Sequence, residues 1–406
     1  MNPNVVPDPI QRAGDQVRPY FWALLGVTAL TIGLLQMFGP LPAAQSTVLL
    51  LAFGVFALVW NVLVLRARST LEFASRHAWK LIAAFAIVAV AIQALGLLNA
   101  YWETIAIELF LFAILALSWD LLGGQTGYPS FGNIAFFGMG AYTSAILLKD
   151  FATGLPVAVI AGAVAALVFA ALVGAAVLRL KGGYFAIATL GVALATQQIV
   201  TNLEITGGSS GRILLDVPPQ TVYYYALLAT LVVEVVLVYY LTSTRFGYTL
   251  NSIRDDEEKA TAMGINTTYY KTSAWMIASL FTGIAGGLYA PYLKFIDPNV
   301  ALSNSWNVEL IVMAFVGGTG TVAGPIIGAF GLRTLTKQIE TLFPAYQLVV
   351  LGLVVLVTVI VFPQGLVGQL KERASEMEYY KHGGSAAGQE QSETPEPDAA
   401  LDGGDD

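Results

Sequence analysis

The stretch TVYYYALLATLVVEVVLVYYL, residues 221–241, carries a single charged side chain, Glu234. About 20 consecutive apolar residues wound as a helix cross the roughly 30 Å hydrocarbon core of a bilayer. Soon afterwards comes RDDEEKATAMGI, residues 254–265, where six charges fill six successive positions from Arg254 to Lys259. A second apolar run then fills 272–293. Two spans with a dense charged segment between them describe a membrane protein that holds a polar loop at one face.

Working outward, further runs of this kind lie at 21–39, 46–65, 81–98, 103–122, 131–148, 155–178, 184–203 and 346–362, with weaker ones at 306–316 and 322–332. The chain is 56% hydrophobic and 12% charged, with a mean hydropathy of +0.68. Soluble domains hold about 25% charged residues. The fold class expected is an all-α polytopic membrane protein of about 10–12 transmembrane helices, with broken or re-entrant segments. A transmembrane barrel is excluded because its strands alternate polar and apolar residues, whereas these runs are continuous.

There is no cysteine, which removes disulfides, thiolate metal sites and cysteine nucleophiles. The two histidines, His77 and His382, lie outside the runs, so no metal site and no cofactor is expected. The net charge of −7 comes from seven acids after Gly383; without them acids and bases number 20 each. That tail is rich in Gly, Ser, Pro and Glu and reads as disordered. The neutral body suggests no nucleic-acid partner. The first 20 residues are polar, and no small-residue cleavage site follows the first run, which reads as an uncleaved helix.

Basic residues in short loops mark the cytoplasmic side. They cluster at 66–80 (Arg66, Arg68, Arg76, Lys80), at Arg179 and Lys181, at 242–271 (Arg245, Arg254, Lys259, Lys271), and at Lys371, Arg373 and Lys381. Alternating the ten stronger runs from a cytoplasmic N-terminus puts all four clusters on one side. Both termini are then cytoplasmic and the number of crossings is even. Arg333 and Lys337 resist this: with two full crossings between 306 and 345 they fall outside, so that pair of runs also reads as a re-entrant hairpin. Tyr20 with Trp22, Tyr101 with Trp102, Tyr239 with Tyr240, and Tyr289 with Tyr292 sit where interfacial aromatic belts are expected.

Two glycine-rich stretches interrupt apolar surroundings: GGQTGYPSFGNIAFFGMGAY at 123–142 and GGTGTVAGPIIGAF at 317–330. Unwound backbone at membrane depth survives only when buried in protein or lining a cavity. These stretches read either as broken helices along a translocation path or as close helix packing with ordinary turns. Neither carries the lysine of a phosphate-binding loop, so the chain is not expected to hydrolyse ATP. Asp120, Gln197, Gln198, Asn202, Glu234 and Glu309 are the strongly polar residues noted within the spans, with Glu234 nearest mid-span and Glu309 near a surface. So few such groups, none of them paired, argues against a proton-coupled carrier. No paired carboxylates or nucleophile–base set suggests an enzyme.

Within 254–265, Glu258, Ala260 and Gly264 fit the spacing E-x-A-x-x-x-G. Read alone this is a solvated loop or a short helix that seats in a partner, with Gly264 as its stop. The spacing resembles the EAA loop through which permeases of ABC importers meet their ATPases. Four blocks extend the resemblance across roughly 100–370: GQTGYPSFGNIAFFGMGAY (124–142); LRLKGGYFAIATLG (178–191) with ITGGSSG (205–211); SIRDDEEKATAMGIN (252–266) with Lys271; and GGTGTVAGPIIGA (317–329) with FPQGL (362–366). Together they resemble the branched-chain amino-acid permease family of ABC importers, of the Liv M type. Asn133 stands where that family often has histidine, and Lys259 takes the second place of the loop.

The resemblance implies an organisation: a cytoplasmic segment 1–20, extra helices over 21–98, a permease core over 99–370 and an acidic tail over 371–406. It implies a second permease subunit, two cytoplasmic ATPase subunits and an extracytoplasmic solute-binding protein as partners, in the cell (inner or plasma) membrane. The solutes implied are branched-chain or other amino acids, with urea and short amides as relatives. Arg254, Asp255, Glu258, Ala260 and Gly264 are implied as the ATPase-coupling residues, and Gln125, Ser130, Asn133, Thr189 and Gln197 as pathway residues. A stand-alone secondary carrier or channel is the competing reading.

Overall fold

The computed structural model describes residues 77–342 and, beyond them, Gly352, Gly365, Val367 and Gly368, all within one unit spanning His77–Gln369. The runs at 21–39 and 46–65, the run at 346–362 apart from Gly352, the Tyr20–Trp22 pair, the basic residues Arg66, Arg68, Arg76, Lys371, Arg373 and Lys381, and the acidic tail lie outside the described residues.

The described chain is helical almost throughout. The elements in order are α1 (Ala78–Ala94), α2 (Ala100–Thr126), α3 (Asn133–Asp150), α4 (Leu155–Val177), α5 (Gly183–Asn202), α6 (Gln220–Thr242), α7 (Arg245–Asp255), α8 (Glu257–Ala262), α9 (Thr267–Leu293), α10 (Pro298–Ala301), α11 (Asn304–Gly317) and α12 (Ala323–Leu342). The one sheet among them pairs β1 (Arg212–Ile213) with β2 (Phe295–Ile296), antiparallel, with Arg212 opposite Ile296. Six spans among the described residues are long and apolar enough to cross a membrane: α2, α4, α5, α6, α9 and α10 with α11 taken together. This is an all-α polytopic membrane protein. The expected runs at 81–98, 103–122, 155–178, 184–203, 221–241 and 272–293 coincide with helices to within a few residues.

Position in the bundle follows from composition. A helix apolar on every side belongs inside, and α2 is buried at every residue from Phe110 to Leu122. It packs against α6, α9, α11, α12 and α7. Helix α4 shows the opposite arrangement. Ala158, Gly162, Ala166, Ala170 and Gly174 recur every fourth residue and are buried, whereas Val157, Ile160, Val164, Val168 and Leu172 are exposed. Bulky side chains outward and small ones inward is the pattern of a helix between lipid and protein, where association rests on close backbone approach.

That approach is closest among α3, α4 and α9. A methyl on Gly140 would fall on the Gly283 carbonyl, and one on Gly286 would fall on the Phe137 carbonyl. Trp275 of α9 donates its indole N–H to the Ala170 carbonyl of α4 at 2.8 Å and meets Phe136 edge-on at 4.9 Å. Gly286→Ala is therefore expected to destabilise the fold by about 1–3 kcal/mol, because backbone rather than a movable side chain blocks the methyl. Gly191→Ala on α5, where nothing among the described residues lies within 4 Å of the added methyl, is the neutral control. Thermal unfolding of both variants in one detergent checks this.

Tyr289 is buried and packs edge-on against Trp306 at 5.2 Å and beside Phe137 at 5.4 Å. The bulky aromatic residues on α3 and α11 leave a socket that this ring fills. Glu309 is largely buried, its side chain 12% exposed. It lies in an ion network within the bundle: Arg333 meets Glu108 at 2.8 Å and Glu309 at 3.3 Å, and Lys337 meets Glu108 at 3.2 Å. The weaker runs 306–316 and 322–332 belong to α11 and α12, helices of 14 and 20 residues joined by the turn 318–322.

Candidate functional site

The charged loop folds as two short helices meeting at a kink. Asp256 is extended (φ −162°, ψ 104°), which ends α7 and starts α8 in a new direction. Its carboxylate accepts the backbone N–H groups of Glu258 and Lys259, both at 3.0 Å, and so caps α8. The Lys259 N–H and ammonium hold that carboxyl below its ordinary value. At the other end Gly264 has φ +87°, Gly264 N–H reaches the Thr261 carbonyl and Ile265 N–H reaches the Ala260 carbonyl. This double bond pattern over a left-handed residue is the usual glycine stop.

The two faces of α8 differ sharply. Outward, Glu258 is 85% exposed and pairs with the exposed Lys181 at 3.2 Å, while Met263 is 84% exposed. The Lys181–Glu258 pair also puts the 179–182 connection beside 242–271, as the basic-loop pattern requires. Inward, Ala260 is buried with Tyr128, Phe185, Leu250, Ile253 and Trp275. Next to it Glu257 accepts from Lys271 Nζ at 2.6 Å on one oxygen and from the Tyr128 hydroxyl on the other. Lys271 Nζ also donates to that hydroxyl at 3.2 Å and stands 4.3 Å from the centre of the Tyr128 ring. Burial pushes the Glu257 carboxyl up, but the Lys271 and Tyr128 hydrogen bonds and the Lys271 charge outweigh it and hold the group below its ordinary value.

Tyr128 belongs to the first glycine-rich stretch, which breaks between α2 and α3. Gly127 ends α2 in the left-handed region at φ +73°. The unwound backbone that follows is satisfied by side chains. Trp119 donates to the Ser130 carbonyl at 2.7 Å, Asn307 to the Phe131 carbonyl at 2.7 Å, Thr189 Oγ1 accepts the Phe131 N–H at 3.0 Å, and Ser130 Oγ accepts the Gly132 N–H at 3.1 Å. Ile134 N–H reaches Asn307 Oδ1 at 3.1 Å. Buried irregular backbone needs such partners.

The second glycine-rich stretch breaks at 318–322 and meets the first. Asp120 of α2 accepts the Gly320 N–H at 2.9 and 3.1 Å with its two oxygens. Arg254, at the end of α7, donates to the Gly124 carbonyl at 3.2 Å. A methyl on Gly320 would stand 2.5 Å from Arg254 Nη1, so the guanidinium touches both stretches. One spot beneath α8 thus joins the two broken segments.

Of the expected coupling residues, Arg254 and Ala260 face the bundle, Glu258 faces out, Asp255 is 77% exposed and lies 3.8 Å from Arg254, and Gly264 ends the helix. Of the expected pathway residues, Ser130 and Thr189 brace the first break, and Gln125 is buried beside it in sequence. Asn133 is buried, and its amide Nδ2 finds no hydrogen-bond partner among the described residues. Gln197 is half-buried two turns along α5 from Thr189. Glu257, Tyr128, Asp120 and Asn307 complete the arrangement. Sequence reading passed over Glu257 and Tyr128 for this role, although Glu257 and Ala260 share helical spacing. Within α6, Glu234 is buried and accepts from Ser118 Oγ at 2.6 Å.

Residues 101–359 match the profile of a family described as branched-chain amino acid transport system / permease component. The chain is 26% identical over 300 residues to the high-affinity branched-chain amino acid transport system permease protein LivM of Salmonella typhimurium, covering 64% of this chain and 69% of that one. It is 25% identical over 259 residues to the probable branched-chain amino acid transport permease protein LivM of Methanocaldococcus jannaschii, covering 54% and 75%. It is 30% identical over 134 residues to the ribose import permease protein RbsC of Bacillus subtilis, covering 31% and 41%. No solved structure matches.

Proposed function

This chain belongs to the branched-chain amino acid transport system / permease component family, and from that premise we propose that it is the membrane-spanning half of an importer for branched-chain or other amino acids. ATPase subunits on separate chains drive it through α8, a second permease subunit completes the pathway, and a solute-binding protein delivers solute from outside. Both termini are cytoplasmic. The observation that carries this reading is α8 itself, a capped six-residue helix with its inner face anchored and its outer face bare. Met263, just past the end of α8, is a large apolar side chain that is 84% exposed, which suits seating in a groove of a soluble partner. The amino-acid solute is supported by the two LivM relatives, whose matches are much longer than that to the ribose permease.

Gly264→Trp tests the docking. Among the described residues nothing lies within 4 Å of a Cβ built at that position. The backbone strain of a side chain at positive φ costs about 1–2 kcal/mol. Co-purification of the tagged chain with its ATPase is expected to fall by more than tenfold (about 1.4 kcal/mol) while the second permease stays bound. Retention of the ATPase by this variant and by Met263→Glu would overturn the reading. The ion network of Arg333, Lys337, Glu108 and Glu309 favours one other reading, a stand-alone carrier, since paired intramembrane charges mark ion pathways. Gradient-driven uptake by the purified chain alone in liposomes would establish that alternative.

A further inference from the structure

We propose that α7–α8 holds both broken segments of the bundle at once, so that movement of this loop reaches the two glycine-rich breaks together and not one helix alone. This rests on the permease reading above. Three positioning residues make the link. Glu257 grips the first break through the Tyr128 hydroxyl. Arg254 binds the Gly124 carbonyl at the end of α2 and lies against Gly320 in the second break. Asp120 closes the arrangement by taking the Gly320 N–H with its carboxylate. Lys271 extends the link to α9 at its first turn.

The geometry gives this arrangement its reach. Gly127, Gly318 and Gly320 all have positive φ, at 73°, 116° and 73°. Such residues turn the chain without a Cβ penalty and are natural pivots. Downstream of the breaks run α3 and α12, and upstream run α2 and α11, so four helices end or begin at segments gripped by one loop. Packed elements shift between discrete arrangements rather than bending continuously. A loop attached to both breaks moves them in step, whereas a loop attached to one would let the other lag. The bonds involved each pair a charged side chain with its acceptor or donor.

The test uses the full chain co-expressed with its partner subunits and reconstituted in nanodiscs, with leucine as the probe solute. Tyr128→Phe removes one hydroxyl and keeps the ring under Lys271. Asp120→Asn puts a neutral amide where the carboxylate takes the Gly320 N–H. Each is expected to keep the ATPase subunits bound and ATP hydrolysis running, while leucine bound from its binding protein and released per ATP hydrolysed falls about tenfold, the size of an ordinary coupling term. A wild-type ratio in both variants overturns the inference. Loss of the ATPase from both, with wild type retaining it, also overturns it by assigning these residues to docking, and leaves the permease reading standing. Failure of the wild-type chain to bring down any ATPase removes the permease reading itself.

A second measurement does not depend on those variants. The chain has no cysteine, so Thr261→Cys and Thr319→Cys can be spin-labelled without further changes. Their separation is expected to stay constant when ATP is bound, while the separation of Thr261→Cys from Glu204→Cys at the other end of α5 changes. A change between 261 and 319 as large as that between 261 and 204 overturns the inference.

Discussion

Replacing Glu257 with alanine is expected to destabilise the folded chain by about 3–5 kcal/mol, the cost of breaking a buried ion pair from one side. The Lys271 side chain is 5% exposed and that of Glu257 15% exposed, with 2.6 Å between their charged atoms. Alanine at 257 leaves an ammonium with little access to water and removes the acceptor of the Tyr128 hydroxyl. The neighbouring Glu258→Ala removes only an exposed pair with Lys181, for which about 0–1 kcal/mol is ordinary. Two adjacent glutamates are thus expected to differ severalfold in cost. Lys271→Met in the Glu257→Ala background should recover most of the loss, because a buried pair replaced on both sides by apolar groups is close to neutral. Chemical unfolding in detergent measures all four chains. Acid gives a second readout. The Glu257 carboxyl titrates below its ordinary value when folded, so its contribution is complete above the unfolded value of about 4.3 and is lost as pH falls through the lower folded value. Wild type should lose stability over that acid range more steeply than Glu257→Gln. Equal costs for the two glutamates would mean that the inner face of α8 is not anchored.

The same pair shows how far the sequence could be read. The helices were legible because lipid demands about 20 apolar residues per crossing, and the runs over 81–332 each find a helix at their place. The short helix α8 was legible from charge density, Ala260 and Gly264. Its inner face was not, since the spacing E-x-A-x-x-x-G fixes attention on Glu258, which points outward. Glu257 stands three residues before Ala260 and so shares its side of a helix, but its partners Tyr128 and Lys271 lie 129 and 14 residues away. Asp120 is similar: the end of an apolar run gives no sign of a backbone N–H 200 residues on. Ser130 and Thr189, implied as pathway residues by the resemblance, hydrogen-bond the backbone of the break, which needs donors and acceptors wherever it is unwound. Glu108 was not among the polar residues noted within the spans. Its partners come from α12, and only packing brings them together.

Arg333→Met is the other large effect expected, again about 3–5 kcal/mol. Arg333 lies ten residues into α12, on the order of 15 Å along the helix from the 318–322 turn, and its side chain is 13% exposed. Its guanidinium binds Glu108 of α2 through two nitrogens at 2.8 and 3.1 Å, Glu309 of α11 at 3.3 Å, and stands 4.4 Å from the Phe112 ring centre. Three helices therefore meet at one cation. The charge of Arg333 is compensated within the bundle by Glu108 and Glu309. Methionine keeps the length and apolar contact but leaves the two carboxylates facing a vacated position, with Lys337 still 3.2 Å from Glu108. Arg333→Lys keeps the charge, yet a point-like ammonium cannot reproduce a fork shared by two carboxylates, so an intermediate loss is expected. Adding Glu108→Gln to Arg333→Met removes the excess negative charge and should recover part of the stability. Unfolding midpoints in detergent order the variants as wild type, Arg333→Lys, the double variant, then Arg333→Met. If Arg333→Met matched wild type in stability but abolished uptake, the network would belong to the solute path and not to the scaffold, and the stand-alone carrier would gain the support that the bare face of α8 now gives to the ATP-driven importer.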